Sequence, residues 1–349
     1  MKVGLVGFAG SGKTTVFNAL TGLKANTGLG AKEHANLGMI KVPDPRIEFL
    51  AEVYKPKKKT LAEIAFVDVV GPEAKKSEKG LDSKLIADMR VVDALVHVVR
   101  VFDNPTLTQA PDAKRDLEAF EAEMVFSDLI MVEAKLDRLR KEGKKTPERT
   151  LFEALVTQLE AGKPLRLLDF SEADRAMMTS FAFVSAKPCM VLVNVPDDQA
   201  SKPLPEGLET MARERGVSVM MMAGRAEAEI SELPPAEQLA FLSDLGVTAS
   251  ARDRFVNAVY AQLDLISFLT AGDDECRAWT LTRGTNARRA AGKIHSDIER
   301  GFIRAEVIAF NDFKTCGTEA KCREAGKLRL EGKDYIVQDG DITHFRFNV

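Results

Sequence analysis

Near its start the chain carries Gly7-Phe8-Ala9-Gly10-Ser11-Gly12-Lys13-Thr14, which fits the spacing G-x-x-x-x-G-K-[ST] at every fixed position. The apolar run Val3 to Val6 precedes it. Thr14 to Leu23 follows, with Val16, Phe17 and Leu20 at helical spacing. Strand, glycine loop and helix in that order make a phosphate cradle. The glycines let backbone N–H groups turn inward, and the helix N-terminus adds its positive dipole end. Lys13 brings a point charge to the outer phosphates, and Thr14 offers a hydroxyl to Mg²⁺. A glycine-rich turn with an incidental lysine is the alternative, and the flanking strand and helix argue against it.

Such a cradle needs a sheet behind it. Leu37 to Val42, Ala62 to Val69 and Leu95 to Val101 read as further strands, interleaved with helices, which predicts an α/β sheet with parallel members. From Asp112 to about Leu168 the pattern changes. Leu117, Phe120, Met124, Leu129, Val132, Leu136 and Leu139 recur every three to four residues, Lys141 to Thr146 breaks the run, and Arg149 to Leu159 begins a second helix. This predicts an antiparallel helical hairpin. Strands return at Met190 to Asn194 and Val217 to Met222, and a helix over Arg252 to Leu269 leads to a last segment. There Arg277 to Leu281 and Ile303 to Ile308 read as strands and Ala287 to Asp297 as a helix. The Gln338 to Asp341 turn reads as the tip of a hairpin. The expected architecture is α/β: a P-loop NTPase domain with an inserted helical arm and a small C-terminal α+β domain. The boundaries are 1–111 for the first part of the nucleotide domain, 112–180 for the arm, 181–270 for its completion and the linking helix, and 271–349 for the last domain.

Composition adds mainly exclusions. With 349 residues and a formal net charge of −3, the chain gives no global argument for nucleic acid or an acidic membrane. No apolar run approaches the ~20 residues needed to span a bilayer. Cys189, Cys276, Cys316 and Cys322 form no CxxC pair and have no histidine at zinc-ligand spacing, so they read as reduced thiols. A cytoplasmic monomer with no membrane partner is expected.

Asp68-Val69-Val70-Gly71 ends the strand Ile64 to Val67. An Asp there holds Mg²⁺, and the Gly71 N–H reaches a γ-phosphate. A capping Asp before a turn is the other reading. Pro72 follows, where many small GTPases place a Gln to orient the attacking water, and proline cannot do this. The late strand ends at Asn194-Val195-Pro196-Asp197, with the Asn of a guanine-reading NKxD loop but without its Lys, so guanine preference does not follow. An ordinary polar loop with a turn-forming Pro-Asp remains open.

With these residues in hand, the sequence resembles the YchF/Obg-like ATPase family of translation-factor-class P-loop proteins, as a divergent member. The likeness is strongest in Ala278 to Phe310 (AWTLTRGTNARRAAGKIHSDIERGFIRAEVIAF) and Glu324 to Val349 (EAGKLRLEGKDYIVQDGDITHFRFNV), which resemble that family's β-grasp-like TGS domain. Val42 to Lys59, His97 to Asn104 and Leu269 to Gly272 extend it over nearly the whole chain. The resemblance implies a Mg²⁺-dependent nucleotide hydrolase that accepts ATP, often more readily than GTP, and associates with ribosomes or ribosomal RNA. Its N-x-x-E base loop falls on Asn194 and Asp197, with the shorter acid here. Its first-switch Thr falls near Lys32, and its catalytic His lies nearest Gln109, which can orient water but is no general base near neutral pH. The nucleotide-contacting set is then Gly7, Ala9, Gly10, Ser11, Gly12, Lys13, Thr14, Thr15, Gly71, Asn194, Val195, Asp197, Ala223 and Gly224. Thr14 and Asp68 are on the metal side, and Lys13 and Gln109 are the catalytic candidates. A slow ATPase that needs a partner is expected. A nucleotide-sensing module with little hydrolysis and a small-molecule kinase are the competing functions. The kinase is disfavoured because the arm does not look like an Arg-rich lid.

Two basic clusters are candidates for RNA phosphate or for solvated faces. One is Lys55, Lys57, Lys58 and Lys59. The other is Arg283, Arg288, Arg289, Lys293, Arg300 and Arg304. His97, mid-strand, reads as a hydrogen-bonded core histidine.

Overall fold

The computed structural model describes residues 1–25, 36–69, 81–143, 146–200, 202–234, 237–238 and 250–348. Lys32, Gly71 and Pro72 lie outside the described residues. The chain forms two compact units. One contains Met1–Ile40 and Ala65–Phe255, and the other contains Lys41–Ile64 and Val256–Val349.

The first unit is built on a six-stranded sheet of β1 (Lys2–Val6), β2 (Asn36–Lys41), β4 (Glu63–Asp68), β5 (Ala94–Arg100), β6 (Cys189–Asn194) and β7 (Ser218–Met222), in the order β2-β4-β1-β5-β6-β7. β1 runs parallel to β4 and β5, β5 to β6, and β6 to β7. β5 and β6 are buried at every residue, as expected of parallel strands covered on both faces. The strand expectations for this half agree with the structure to within a residue or so.

The arm is α4 (Ala113–Lys141) and α5 (Pro147–Glu160). Asp112 caps α4 by accepting from Lys114 N and Arg115 N, while Thr146 caps α5 with Pro147 in its first turn. Val125, Val132, Leu136 and Leu139 bury against Phe152, Leu155 and Leu159, the apolar stripe read from the sequence. Polar groups fasten its root. Glu121 pairs with Arg166, both almost fully buried. Asp128, fully buried, accepts from Val184 N at 3.1 Å, Ser185 N at 2.7 Å and Arg90 Nη1 at 3.4 Å.

The second unit carries another six-stranded sheet: β3 (Lys58–Thr60), β8 (Leu265–Thr270), β9 (Glu275–Thr282), β10 (Phe302–Ala309), β11 (Arg329–Glu331) and β12 (Asp341–Phe347), in the order β11-β10-β12-β8-β9-β3. β12 pairs parallel with β8 and β3 with β9, while β8/β9, β10/β11 and β10/β12 are antiparallel. The alanine face of the helix Ala287–Ile294 packs with Ile266, Phe268, Leu281, Val307 and Phe345.

Three expectations are corrected here. Residues 41–64 cluster with the second unit, because β3 adds to the edge of β9. The linking helix stops at Gln262, and Leu265–Thr270 is a strand, since this short Leu-Ile-Ser-Phe-Leu-Thr run pairs better than it coils. No hairpin forms at Gln338 to Asp341. Only Asp341–Phe347 is a strand, and Ile336 makes a single bridge to Asn286.

Candidate functional site

α1 (Lys13–Thr21) begins where β1 ends, and the loop between them is shaped by its glycines. Gly12 caps α1 in the left-handed region at φ 88°, and a Cβ there would sit 2.1 Å from Asn194 Nδ2. Only glycine fits. Asn194, buried at the end of β6, occupies that space. Its Nδ2 donates to Ser11 O at 3.0 Å and its Oδ1 accepts from Gly224 N at 3.1 Å. One side chain therefore ties the loop to the first residue of the helix Gly224–Ser231. Asp197 lies beyond, exposed, with Oδ1 accepting from Ala226 N at 3.3 Å. Val195 and Ala223 are buried beside it.

Lys13 Nζ donates to Gly7 O and Phe8 O, both at 2.9 Å. Removal of water lowers its pKa to about 8, with Asp68 pulling the other way. Asp68, at the end of β4 and opposite Leu5 of β1, is buried. Its Oδ2 accepts from Thr14 Oγ1 at 3.0 Å and from Asn36 Nδ2 at 3.1 Å. Because the Thr14 hydroxyl spends its proton on Asp68, its lone pairs are left for a cation. These are hard oxygen donors of the kind Mg²⁺ takes, one or two from protein and the rest from phosphate and water. Among the described residues no group of three His, Cys, Asp or Glu could hold a metal.

The loop after β5 folds against the cradle. Arg100, buried at the end of β5, donates to Phe102 O at 2.8 Å and Gln109 O at 2.6 Å, clamping both ends of residues 101–109. Asn104 Nδ2 reaches Gly10 O at 3.5 Å. Gln109 is thus held by its carbonyl, and the residue is exposed.

The structure brings together Gly7 through Thr15, Asp68, Asn194, Val195, Asp197, Ala223 and Gly224, while Gly71 is outside the described residues. Sequence reasoning missed Asn36, Arg100 and Asn104. A signal existed for Arg100, the one charge in the apolar run LVHVVRV. His97 departs from expectation. It is core, but neither ring nitrogen has a hydrogen-bond partner among the described residues. In the lysine run, Lys58 and Lys59 lie in β3, and the solvent-facing Lys57 pairs with Asp274 at 2.8 Å and Lys58 with Glu275 at 3.4 Å. In the second cluster Arg283 pairs with Asp264 and Arg300 with Asp297, while Arg289, Lys293 and Arg304 carry no ion pair among the described residues.

A sheet with five parallel strands, a glycine loop that folds Lys13 inward and a strand-ending Asp bound to the loop Thr define a P-loop nucleotide-binding protein of the GTPase fold. Residues 2–135 match the family described as 50S ribosome-binding GTPase, and residues 265–348 match the YchF-GTPase C-terminal family. The chain is 37% identical over 367 residues to the ribosome-binding ATPase YchF of Bacillus subtilis, covering 100% of both. It is 39% identical over 360 residues to that of Haemophilus influenzae, covering 100% of this chain and 99% of the relative. The Schizosaccharomyces pombe YchF GTPase structure superposes with a TM-score of 0.85 at 29% identity, covering 99% of this chain and 97% of that one. The chain belongs to the YchF/Obg-like ATPase family. Among the described residues no helix is long and apolar enough to cross a membrane.

Proposed function

We propose that this protein binds ATP with Mg²⁺ at the Gly7 to Thr14 loop, hydrolyses it slowly, and works in the cytoplasm on ribosomes. The observation that carries this reading is the Thr14–Asp68 hydrogen bond beside the inward-turned Lys13 ammonium. Mg²⁺, when bound, would neutralise charge that develops on the phosphates. Thr14 and Asp68 would hold it, with Asp68 fixed by its two donors. Lys13 places its charge on the outer phosphates. Gln109, at the clamped end of the loop over Gly10, orients the attacking water. It has no basic group to take the proton, so turnover is slow unless a partner supplies one.

The base loop favours ATP at least as well as GTP. One N–H and one oxygen lone pair of the Asn194 amide already hold Ser11 and Gly224. A bidentate grip of Asp197 on guanine would compete with its bond from Ala226 N. The names of the relatives, together with Arg289, Lys293 and Arg304 on the second unit, support a ribosomal RNA partner.

Calorimetric titration of ATP and GTP against the wild type and Lys13→Ala tests the site. ATP is expected to bind at least as tightly as GTP, and Lys13→Ala to lose at least about a hundredfold in affinity. A tenfold GTP preference would overturn the base reading, and normal affinity in Lys13→Ala would overturn the site. Single-turnover hydrolysis should accelerate with ribosomes. A rate unchanged by them, and unchanged in Gln109→Ala, would favour a nucleotide-sensing module instead.

A further inference from the structure

His97 sits in the middle of β5, in register with Val6 at the mouth of the phosphate loop. Its neighbours Leu95, Val96, Val98 and Val99 are all buried aliphatics, so packing alone does not call for an imidazole here. Neither nitrogen is bonded among the described residues, which costs stability. Burial first, and then the Lys13 charge, push its pKa down to about 3, so the ring is neutral and carries one N–H donor and one acceptor.

Aromatic contacts fix where that ring can turn. It stacks on Phe120 of α4 with centroids 4.1 Å apart, and Phe8 of the loop meets it edge-on at 6.4 Å. Its Cδ2–Nε2 edge lies under the loop, for a Cβ on Gly7 would be 3.3 Å from His97 Cδ2. The same point is 3.3 Å from Ser11 Oγ, another buried atom without a partner among the described residues.

Donor counting connects this edge to the nucleotide. The Lys13 ammonium has three N–H donors, and two serve Gly7 O and Phe8 O. Reaching both a β- and a γ-phosphate oxygen takes two. At least one loop carbonyl must therefore be released, and a buried carbonyl without a donor is unfavourable. Phe8 O would keep Ser11 N at 3.4 Å as a donor, so the carbonyl at stake is that of Gly7, the residue the His97 ring packs beside.

We propose that His97 is a positioning residue for nucleotide binding, its imidazole N–H taking over the loop carbonyl that Lys13 gives up to phosphate. The orphaned ring and the released carbonyl then satisfy each other, and the loop keeps its shape while Lys13 moves outward. This rests on the nucleotide-binding reading of the loop.

The chain has four histidines, so histidine-selective ¹⁵N labelling is tractable, with His97→Leu assigning the signal. Adding a non-hydrolysable ATP analogue with Mg²⁺ to the wild type should shift the His97 N–H proton downfield and slow its exchange with water. His97→Leu should fold at least as stably without the analogue and bind it about three- to tenfold more weakly. His97→Gln, which keeps an N–H donor, should recover most of that loss. A His97 N–H that does not respond in the wild type, or wild-type affinity in His97→Leu, overturns the proposal. If His97→Leu does not fold, the wild-type spectrum and His97→Gln decide. Failure of the wild type itself to bind the analogue would instead sink the nucleotide-binding reading.

Discussion

Two buried polar clusters lie one residue apart along α4. Phe120 stacks on His97 under the phosphate loop, and the next residue, Glu121, pairs with Arg166 at the root of the arm. At the root every charge is met. Arg166 also donates to Ser185 O at 3.2 Å and Arg215 O at 3.1 Å, and Asp128 accepts from two backbone N–H groups. Under the loop, the His97 nitrogens and the Ser11 hydroxyl are unmet among the described residues. A cluster with all partners present has one arrangement. A cluster with spare donors beside a ligand site can change partners when the ligand arrives.

Breaking the root should cost most. Glu121→Ala leaves the Arg166 guanidinium buried without its carboxylate and should lower unfolding free energy by about 3–5 kcal/mol in urea titrations. Replacing Glu121 and Arg166 together by Met and Leu should cost far less, because no charge is stranded. A double variant as damaged as the single one would mean the root matters for shape alone.

Acid should expose the floor. His97 is neutral in the fold down to about pH 3, whereas the unfolded chain takes up its proton near pH 6.5, so stability is lost as pH falls below 6.5. Between pH 6.5 and 5 this amounts to about 2 kcal/mol. Denaturation at both pH values should find that difference reduced by this amount in His97→Leu, and an undiminished pH dependence would mean the ring is protonated in the fold.

Base should act on the lysine above it. Phosphate favours the charged ammonium, which Lys13 loses above about pH 8. ATP affinity should fall about tenfold per pH unit beyond that, with proton uptake measurable by calorimetry in buffers of different ionisation heat. A flat profile from pH 8 to 9.5 would place the Lys13 pKa higher. The smallest effect is expected on the metal side. Asn36→Ala removes one of the two donors to Asp68 among the described residues and should weaken Mn²⁺ binding in the nucleotide complex about fivefold by electron paramagnetic resonance, leaving metal-free nucleotide affinity unchanged.

The phosphate cradle was legible because its chemistry is local: spacing, a preceding strand and a following helix are all written within twenty residues. Asp68 and Asn194 were legible because each ends an apolar strand. Asn36 was not, since its partner Asp68 is 32 residues away and a lone Asn beside a strand has no periodic signal. His97 was placed in the core correctly, but whether a buried ring finds a partner depends on what the loop above it offers. Leu265–Thr270 could not be told from a helix by its apolar run alone. Lys57 and Lys58, where β3 begins, looked free because Asp274 and Glu275 lie more than two hundred residues away in the chain.

That short strand has a consequence for anyone who cuts the chain. β3 covers the outer side of β9 along Glu275, Cys276 and Arg277, and it is supplied by residues 41–64. A fragment that begins at residue 256 would keep β8 through β12 but strip β9 of its neighbour. Its bare amide and carbonyl row would be an open template for another chain, so such a fragment should self-associate more readily than the full-length protein.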